Sequence, residues 1–540
     1  MIRCSDPRRS TLRPAATRRR TFLAGVLGAS MLAGCTVGPD FHPPQWHGPT
    51  AWGSAAAPKA GPRVASTTSP AEAEAAWWQA FGDPQLSALE AQVAAENLDV
   101  RAATLRLAES RAALGIAGAD RFPSVGGNAS YQRELPSSRG VFSALGSDAA
   151  GVQSAGQAAS GAPGTSAGGI NGAAQQNPID IYQYGFDASW ELDLWGRVRR
   201  KVESAQAGVT AAEEARRGAL VTALAEVARD YVDLRGTQEE MKIARDNLKT
   251  AQESLSLTRA RAAGGVTTDL DVANAAAQVE TNAAELPSLR AREAREINAI
   301  SLLLGKPPGA LAAELHSARP VPPVPPRVPV GVPSELVRRR PDIREAEAKL
   351  HAATADIGVA IGDFYPRVTL SGSLGIQALQ PWNLFNLDSR QYAAGPGITV
   401  PLFEGGRLRA TLHLREAQQA EAALTYQRIV LAAWHEVDNA LTAYRSEQQR
   451  RDALTKAEVQ SNRALSLARE RYQQGVADFL QVLDAERSLL RTQQALAIST
   501  TAVSTDLVAL YKALGGGWED AFPAASPPAK PPAAGQPSRP

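Results

Sequence analysis

Apolar residues recur every seven positions in the proline-free segment from about 196 to 263. The repeated positions are Leu220, Val227, Leu234, Met241, Leu248 and Leu255, joined early by Leu224 and Tyr231. A seven-residue period with alanine-rich flanks is typical of a long helix that packs against neighbouring helices. At ~1.5 Å per residue, such a helix would be roughly 100 Å long. The pattern alone also fits an ordinary coiled-coil rod.

Four shorter segments alternate apolar and polar residues, as β-strands with two different faces do. The clearest is IYQYGFDASWELD (181–193), where Tyr182, Tyr184, Phe186, Trp190 and Leu192 alternate with polar residues. VTLSGSLGI (368–376) repeats the pattern, and 125–133 and 394–402 are weaker partners. The sequence therefore predicts a mainly α-helical chain with four short strands.

The chain is predicted to consist of two copies of one unit. Residues 99–125 match residues 342–368 at a constant offset of 243, and WGRVR (195–199) matches GGRLR (405–409) at an offset of 210. The second offset persists to GVTTDLDVANAAA (265–277) and GVADFLQVLDAER (475–487). Internal repeats of this kind indicate two copies of one supersecondary unit.

Each copy is predicted to contain a helix (about 84–119, then 334–362), two strands and two long helices. The first repeat covers 76–318 and includes a long Gly, Ala, Ser and Gln-rich loop at 134–180, whose composition is typical of a mobile surface segment. A proline-rich linker at 319–333 leads to the second repeat, 334–521, and a Pro and Ala-rich tail at 522–540 is predicted to be disordered.

The N-terminus predicts export. Arg18, Arg19 and Arg20 precede the apolar run TFLAGVLGASMLAG, which is shorter than the ~20 residues that span a bilayer. The run ends in LAGC, which resembles a bacterial lipobox with Cys35 as the acylated residue. We therefore predict a lipoprotein signal peptide at 1–34 and a lipidated extended segment at 35–75. A chance cysteine after an ordinary signal peptide is the alternative.

Processing changes the charge of the chain. Residues 1–34 hold seven Arg and one Asp, so the formal net charge of +2 becomes 2 − 6 = −4. The basic balance therefore belongs to the leader and does not indicate nucleic-acid binding. The two cysteines are Cys4, in the leader, and Cys35, which leaves no disulfide or cysteine nucleophile in the mature chain.

Nothing in the sequence predicts an enzyme, a metal site or a cofactor. The six histidines lack HxxxH or HExxH spacing, and no glycine-rich phosphate loop follows a strand. No later segment is a predicted transmembrane helix, so a membrane crossing would require strands closed into a barrel. A soluble sandwich is the alternative, but aromatic-rich apolar faces in an exported chain favour a barrel wall. Four strands cannot close a barrel, so several chains would have to contribute.

The sequence resembles the bacterial outer membrane efflux proteins, the TolC-like outer membrane factors, and in particular their lipidated NodT branch. The resemblance covers nearly all of the predicted mature chain except the long loop and the tail. It is carried by CTVGPDF (35–41), AWWQAFGDPQL (76–86), SWELDLWGRVRR (189–200), SELVRRRPDIREAEAKL (334–350), FYPRVTLSGSLG (364–375), VPLFEGGRLRA (400–410) and RYQQGVADFLQVLDAERSLL (471–490).

This resemblance implies a homotrimer in which each chain gives four strands to a 12-stranded outer membrane barrel, continued by an α-helical coiled-coil barrel in the periplasm. Short helices near the linker and the C-terminus would form an equatorial belt. The trimer would be a passive duct that docks a periplasmic adaptor and an inner membrane pump of the resistance-nodulation-division class. No cofactor and no nucleic acid are implied.

The resemblance also implies a closed periplasmic entrance at the two helix–helix turns, 262–271 and 472–481. Leu480, Asp484 and Arg487 match the constriction residues of the family, and their i, i+4 and i+7 spacing puts them on one helical face. Asp271 and Tyr472 match positions that pin neighbouring coils closed. The turn residues that would dock the adaptor are Gly264, Gly265, Val266, Gly475 and Val476.

Several alternatives remain open from the sequence. Asp484 and Arg487 also fit a plain intrahelical ion pair on a wet face, which is worth only a few tenths of a kcal/mol. A periplasmic coiled-coil scaffold is a second class of function. Within the channel class, the duct of a type I protein secretion system is the alternative to efflux. The transported substrate is not readable from the sequence.

Overall fold

The computed structural model of the protein describes residues 36–45, 52–53, 66–71, 74–135 and 178–522, which are mainly helical. Three predicted features lie outside the described residues: the signal peptide 1–34, the lipidation residue Cys35, and nearly all of the loop 134–180. Of the predicted tail 522–540, only Phe522 is described.

Nine α-helices lie within the described residues, and the two longest have 67 residues each. They are α1 Pro84–Glu96, α2 Leu98–Ala119, α3 Arg197–Ala263, α4 Asp269–Leu303, α5 Ala312–Leu315, α6 Pro333–Arg339, α7 Pro341–Gly362, α8 Arg407–Gln473 and α9 Phe479–Leu514. Short 3-10 turns occur at Trp77–Phe81, Pro381–Phe385 and Leu387–Ser389. Across the described part of the chain, no helix has both the length and the apolar character that crossing a membrane requires.

Six strands are present in the same residues: β1 Thr67–Ser69, β2 Ser124–Glu134, β3 Ile179–Leu192, β4 Arg327–Pro329, β5 Arg367–Ala378 and β6 Arg390–Thr399. The four predicted strands correspond to β2, β3, β5 and β6. The prediction of only four strands was wrong, because β4 lies in the segment 319–333 and pairs in parallel with β1. Strands of three residues are too short to show alternation in a sequence.

The prediction of one continuous helix in each repeat before the strands was also wrong. At Asn97 the backbone is extended, and the Asn97 side-chain oxygen accepts from the amides of Asp99 and Val100, so it caps the start of α2. At Arg340 the backbone is extended because the next residue is Pro341, and proline disfavours helical geometry in the residue before it.

The chain divides into two compact units. The first comprises the described residues up to Phe41, Ala112–Gln206 and Ala352–Gln419. It contains an antiparallel four-stranded sheet in the order β2-β3-β5-β6. Tyr182 lies opposite both Tyr131 and Ala378, which fixes the register of the first three strands.

The two faces of this sheet differ in chemistry. The apolar face carries Val125, Tyr131, Tyr182, Tyr184, Phe186, Trp190, Leu192, Val368, Leu370, Leu374, Ile376, Tyr392 and Ile398. The polar face carries Asn128, Gln183, Asp187, Ser189, Glu191, Thr369, Ser371, Ser373 and Gln391. Phe186, Tyr392 and Ile398 are 64%, 78% and 68% exposed, so large side chains of the apolar face are uncovered within the described residues.

The corner between β3 and α3 is covered by the end of α7. Trp195 stacks on Tyr365 with ring centroids 5.0 Å apart. The side chain of Arg200, in the first turn of α3, is only 4% exposed. Close packing depends on Gly362, because a Cβ added there would lie 2.8 Å from the Cβ of Arg197.

The second unit comprises His42–Arg111, Ala207–His351 and the described residues from Ala420 onwards. It holds most of two helical hairpins, α3–α4 and α8–α9. The heptad residues Leu220, Val227 and Leu234 of α3 have no exposed surface and join a core that includes Leu86 of α1 and Leu507 of α9. The sequence prediction that this stripe packs against neighbouring helices is confirmed.

Candidate functional site

The two predicted entrance turns have the same backbone geometry. After α3, Gly265 has φ of +71°, its amide donates to Ala262 O, and the Val266 amide donates to Arg261 O, each at 2.9 Å. This pair of bonds is a Schellman motif, which ends a helix with a residue in the left-handed region. Gly264 occupies the position just before it, so three of the predicted docking residues form this helix end.

After α8 the same motif occurs 210 residues later. Gly475 has φ of +76°, its amide donates to Tyr472 O, and the Val476 amide donates to Arg471 O, each at 3.0 Å. Val266 and Val476 are 64% and 62% exposed. The two turns therefore present the same small apolar tip to the surroundings.

The tips of the two hairpins are joined by Arg261, in the last turn of α3. Its Nη1 donates to Tyr472 O at 2.9 Å and to Gln473 O at 3.4 Å, carbonyls at the end of α8. Its guanidinium carbon also lies 4.4 Å from the centre of the Tyr472 ring. A cation at a helix C-terminus and over an aromatic face is favourable for both reasons. No sequence pattern marks Arg261 as a contact between the hairpins.

An apolar cluster continues from this contact into the hairpins. Leu255 of α3, Ala275 of α4, Leu465 of α8 and Leu483 of α9 are all buried in it. Phe479 packs against Tyr472 with ring centroids 5.6 Å apart. All four helices therefore contribute to one small core just behind the two turns.

A buried carboxylate also links three of these helices. Glu486 of α9, whose side chain is 8% exposed, accepts from Arg469 Nη2 of α8 at 2.9 Å and from Ser254 Oγ of α3 at 2.6 Å. This pair was not predicted either, although a glutamate between the apolar positions Leu483 and Leu490 was a readable signal. Removing one partner of such a pair is costly, because the other charge stays buried.

The predicted constriction residues lie together on the exposed side of α9. Leu480 is 53% exposed, and Asp484 and Arg487 are also exposed. The two charged side chains do not pair with each other: Arg487 Nε donates to Gln278 Oε1 of α4 at 2.9 Å. Among the described residues, Asp484 has no hydrogen-bond or ion-pair partner. The intrahelical ion pair that the sequence allowed is therefore absent.

The first hairpin lacks this charge pattern, as the sequence indicates, since Leu270, Asn274 and Ala277 occupy the equivalent positions. Leu270 is 68% exposed, like Leu480. Of the two sets of three equivalent positions, only the set on α9 therefore carries charged side chains.

Asp271 has a local structural role at the start of α4. Its carboxylate accepts from Thr267 Oγ1 at 2.5 Å and from the Thr268 amide and hydroxyl, while its own amide donates to Thr268 Oγ1. This is a capping box. The hydrogen bond from the Thr267 hydroxyl, aided by those from Thr268, lowers the pKa of Asp271 below its usual value.

Tyr472 is 4% exposed, and its hydroxyl has no hydrogen-bond partner among the described residues. The pinning contact between neighbouring coils through Asp271 and Tyr472 therefore stays a prediction. No group of side chains suited to hold a metal ion occurs within the described ranges.

The fold of the chain is similar to that of solved outer-membrane channels. The structure of the outer-membrane channel OprN matches with a TM-score of 0.78 and 36% sequence identity, over 90% of this chain and 100% of that one. The outer membrane protein OprJ of Pseudomonas aeruginosa is 32% identical over 500 residues, 92% of this chain and 96% of the relative. The toluene efflux pump outer membrane protein TtgI of Pseudomonas putida is 32% identical over 496 residues, 90% and 96% of the two chains.

The model of the outer membrane efflux protein family matches residues 89–306 and 332–516. The chain belongs to the outer membrane efflux protein family, as the sequence resemblance predicted. Several proteins of this family that match the chain are named as outer membrane components of efflux pumps.

Proposed function

We propose that this protein is the outer membrane channel of a tripartite efflux system, a passive duct that receives its substrates from a periplasmic adaptor and an inner membrane pump. The observation that carries the proposal is the two-faced sheet of the first unit. Its apolar face is exposed, as a lipid-facing wall requires, and its polar face suits a water-filled interior. Its edge strands are β2 and β6, and neither has a second strand partner within the described residues.

The free edges of the sheet support a closed assembly of several chains, and we propose the trimer that the resemblance implies. Four strands cannot enclose a channel, whereas three copies would give a 12-stranded barrel by pairing β6 of one chain with β2 of the next. The predicted duplication is compatible with this assembly, because each predicted repeat contributes two strands and a 67-residue helix. We assign the α-helical hairpins to a coiled-coil barrel in the periplasm.

The two repeat corners also favour the trimer. The corner between β3 and α3 is covered by α7 within the chain, through Gly362 against Arg197. The equivalent corner between β6 and α8 is open, with Leu402 91% and Phe403 90% exposed. The counterpart of α7 in the first repeat is α2, whose Ile116 is 72% exposed. Within the chain, α7 packs on the β3–α3 corner. The exposed surface of α2 corresponds to that of α7, and the open β6–α8 corner corresponds to the β3–α3 corner, so α2 of one chain could cover the β6–α8 corner of the next.

We further propose that Cys35 is acylated and anchors the chain to the outer membrane. The described residues just after it support this position. The Val37 amide donates to Trp195 O at 3.0 Å, and Arg200 Nη2 donates to Asp40 Oδ1 at 2.6 Å. The segment after Cys35 is thus fixed to the corner at the end of β3, the proposed membrane wall.

At the periplasmic end, we propose that Leu480, Asp484 and Arg487 of three chains form the constriction. A ring of three carboxylates would attract cations and repel anions, and a ring of leucines would narrow an apolar aperture. Asp271 and Tyr472 would pin neighbouring coils, and the turn residues Gly264, Gly265, Val266, Gly475 and Val476 would contact the adaptor. A pump of the resistance-nodulation-division class fits the resemblance.

Small-molecule efflux is favoured over type I protein secretion by the relatives. One is named for a toluene efflux pump and another, 34% identical over 449 residues, for pyoverdine export, both in Pseudomonas putida. Deleting the chromosomal gene and testing both outputs separates the functions. Efflux predicts lost tolerance to at least one small toxic compound with secreted proteins unchanged, whereas a type I duct predicts the loss of one secreted protein.

The channel itself is tested by reconstitution of the purified protein in planar bilayers. We expect discrete, cation-preferring conductance steps and a trimeric mass in detergent. A protein that stays water-soluble once Cys35→Ser removes the anchor, and that never conducts, would instead be a periplasmic scaffold.

A further inference from the structure

The loop between β5 and β6 is an ordered amphiphilic structure. Residues 379–389 form two consecutive 3-10 turns, Pro381–Phe385 and Leu387–Ser389. The Asn386 side chain between them accepts from the Asp388 amide at 3.0 Å and caps the second turn. The loop therefore holds its side chains in a defined arrangement.

The loop is folded toward the apolar face of the sheet. Tyr184 lies on that face, and its hydroxyl donates to Leu384 O at 3.0 Å. Ala378, which shares the face, is 7% exposed, although the other end of β5 is open. A loop leaning over the polar face could not accept this hydrogen bond.

The outer surface of the loop is strongly apolar, with one cation beside it. Trp382 is 68%, Phe385 87% and Leu387 70% exposed. Arg390 begins β6 and is opposite Ile376, so it lies on the apolar face at the same end of the sheet. Aromatic rings next to a cation suit a surface that is apolar on one side and carries phosphates on the other.

We propose that the β5–β6 loop is a membrane anchor, which inserts Trp382, Phe385 and Leu387 into the headgroup layer of the outer leaflet while Arg390 contacts lipid phosphates. The inference rests on the proposed function, because it needs the sheet to span the membrane. Its physical basis is continuity: the loop extends the exposed apolar face by one further layer, where barrel walls carry aromatic girdles.

The other candidate for covering this surface is the segment 136–177 of the same chain, which leaves the sheet at the same end. Its sequence contains a single aromatic residue, Phe142, and is dominated by Gly, Ala, Ser and Gln. Such a composition offers little apolar area to bury three large side chains. Lipid is therefore the better partner.

The experiment measures depth in proteoliposomes. Phe385→Cys carries an environment-sensitive fluorophore, and quenching is compared for lipids with a nitroxide near the headgroup and near the chain end. We expect several-fold stronger quenching of position 385 by the headgroup probe. Phe186→Cys, at mid-sheet on the apolar face, should be quenched most by the deep probe, and Ser373→Cys, on the polar face, by neither. Unsubstituted protein gives the background labelling.

The possible outcomes distinguish failure of the proposed membrane anchor from failure of the proposed channel. Quenching of position 186 without quenching of position 385 overturns the anchor and leaves the channel intact. If position 385 is shielded from aqueous iodide until residues 139–175 are removed, that segment is the partner and the anchor is also wrong. Absence of quenching at position 186 removes the proposed membrane wall, and the anchor with it.

Discussion

Arg487 Nε on α9 donates to Gln278 Oε1 on α4 at 2.9 Å, and this bond joins the two hairpins on the side that carries the candidate constriction. Gln494 Nε2 and Glu285 Oε2 repeat the pairing two turns later, at 2.9 Å. Both pairs are separated by 209 residues, one less than the repeat offset of 210. The second helices of the two hairpins therefore lie in parallel and nearly in repeat register.

Arg487 donates to the neutral Gln278 side chain and forms no ion pair with Asp484, so the Asp484 carboxyl has no direct partner among the described residues. In the proposed trimer, Asp484→Ala removes three carboxylates from one ring. We expect the cation preference to be largely lost and conductance to rise by about twofold or more. Single-channel recording with a salt gradient measures both quantities.

The matched control is Glu470→Ala, which removes an exposed carboxylate from the same tip but from α8. Asp484→Asn separates charge from size, since it keeps the volume. If Asp484→Ala and Glu470→Ala behave alike, the constriction lies elsewhere.

The contact between Arg261 and the end of α8 should hold the two turns together. Arg261→Ala removes two hydrogen bonds to carbonyls and a cation–π contact, which we expect to weaken the tip by about 2 kcal/mol. If opening is local, amide hydrogen exchange around 472–479 should become roughly 30-fold faster, since about 1.4 kcal/mol corresponds to tenfold. Arg259→Ala, an exposed arginine in the same turn, should leave these rates unchanged.

An increase in exchange over all four helices, instead of at the tip, would show that Arg261 supports the whole bundle. Exchange rates that stay at the unsubstituted value would show that the contact contributes nothing.

Much of this architecture was readable from the sequence because it follows from periodicity. The heptad of α3, the strand alternation around Tyr182 and the glycines of the two turns each have a local physical cause. The side-chain contacts between helices could not be predicted, because they depend on which helices pack against each other. Arg261 and Tyr472 are 211 residues apart, and no local pattern marks an arginine that caps the end of another helix. The spacing of Leu480, Asp484 and Arg487 indicated a shared helical face, whereas their candidate role came from the family resemblance.

Glu90 is a buried carboxyl in α1, and neither of its side-chain oxygens has a hydrogen-bond partner among the described residues. Burial raises its pKa well above the usual 4.5. The folded protein therefore keeps a proton that the unfolded chain loses above about pH 4.5, so stability should fall as pH rises from there toward the folded pKa. Thermal unfolding in detergent across this pH range measures the slope.

Glu90→Leu should flatten that slope and raise the unfolding free energy at neutral pH by about 1–3 kcal/mol, because an unpaired buried polar group is replaced by an apolar one. Glu109→Gln, at an exposed site on α2, should do neither. An unchanged pH slope in Glu90→Leu would assign the dependence to another group, such as Glu296, whose burial raises its pKa to about 7.

The two repeat corners predict a specific cross-link between copies. Gly362 of the second repeat faces Arg197 of the first repeat within the chain. The residue of the first repeat that corresponds to Gly362 is Ala119, and the residue of the second repeat that corresponds to Arg197 is Arg407. Ala119 precedes β2 and Arg407 follows β6, which are opposite edges of the sheet, about 14 Å apart at ~4.8 Å per strand. Two cysteines that distant cannot bridge, so a disulfide in Ala119→Cys/Arg407→Cys must join different chains.

We expect oxidation of this double variant to give dimers and trimers on a non-reducing gel, reversed by thiol, and each single variant to stay monomeric. A trimer in detergent that fails to cross-link would retain the channel but reject the equivalence of the two corners.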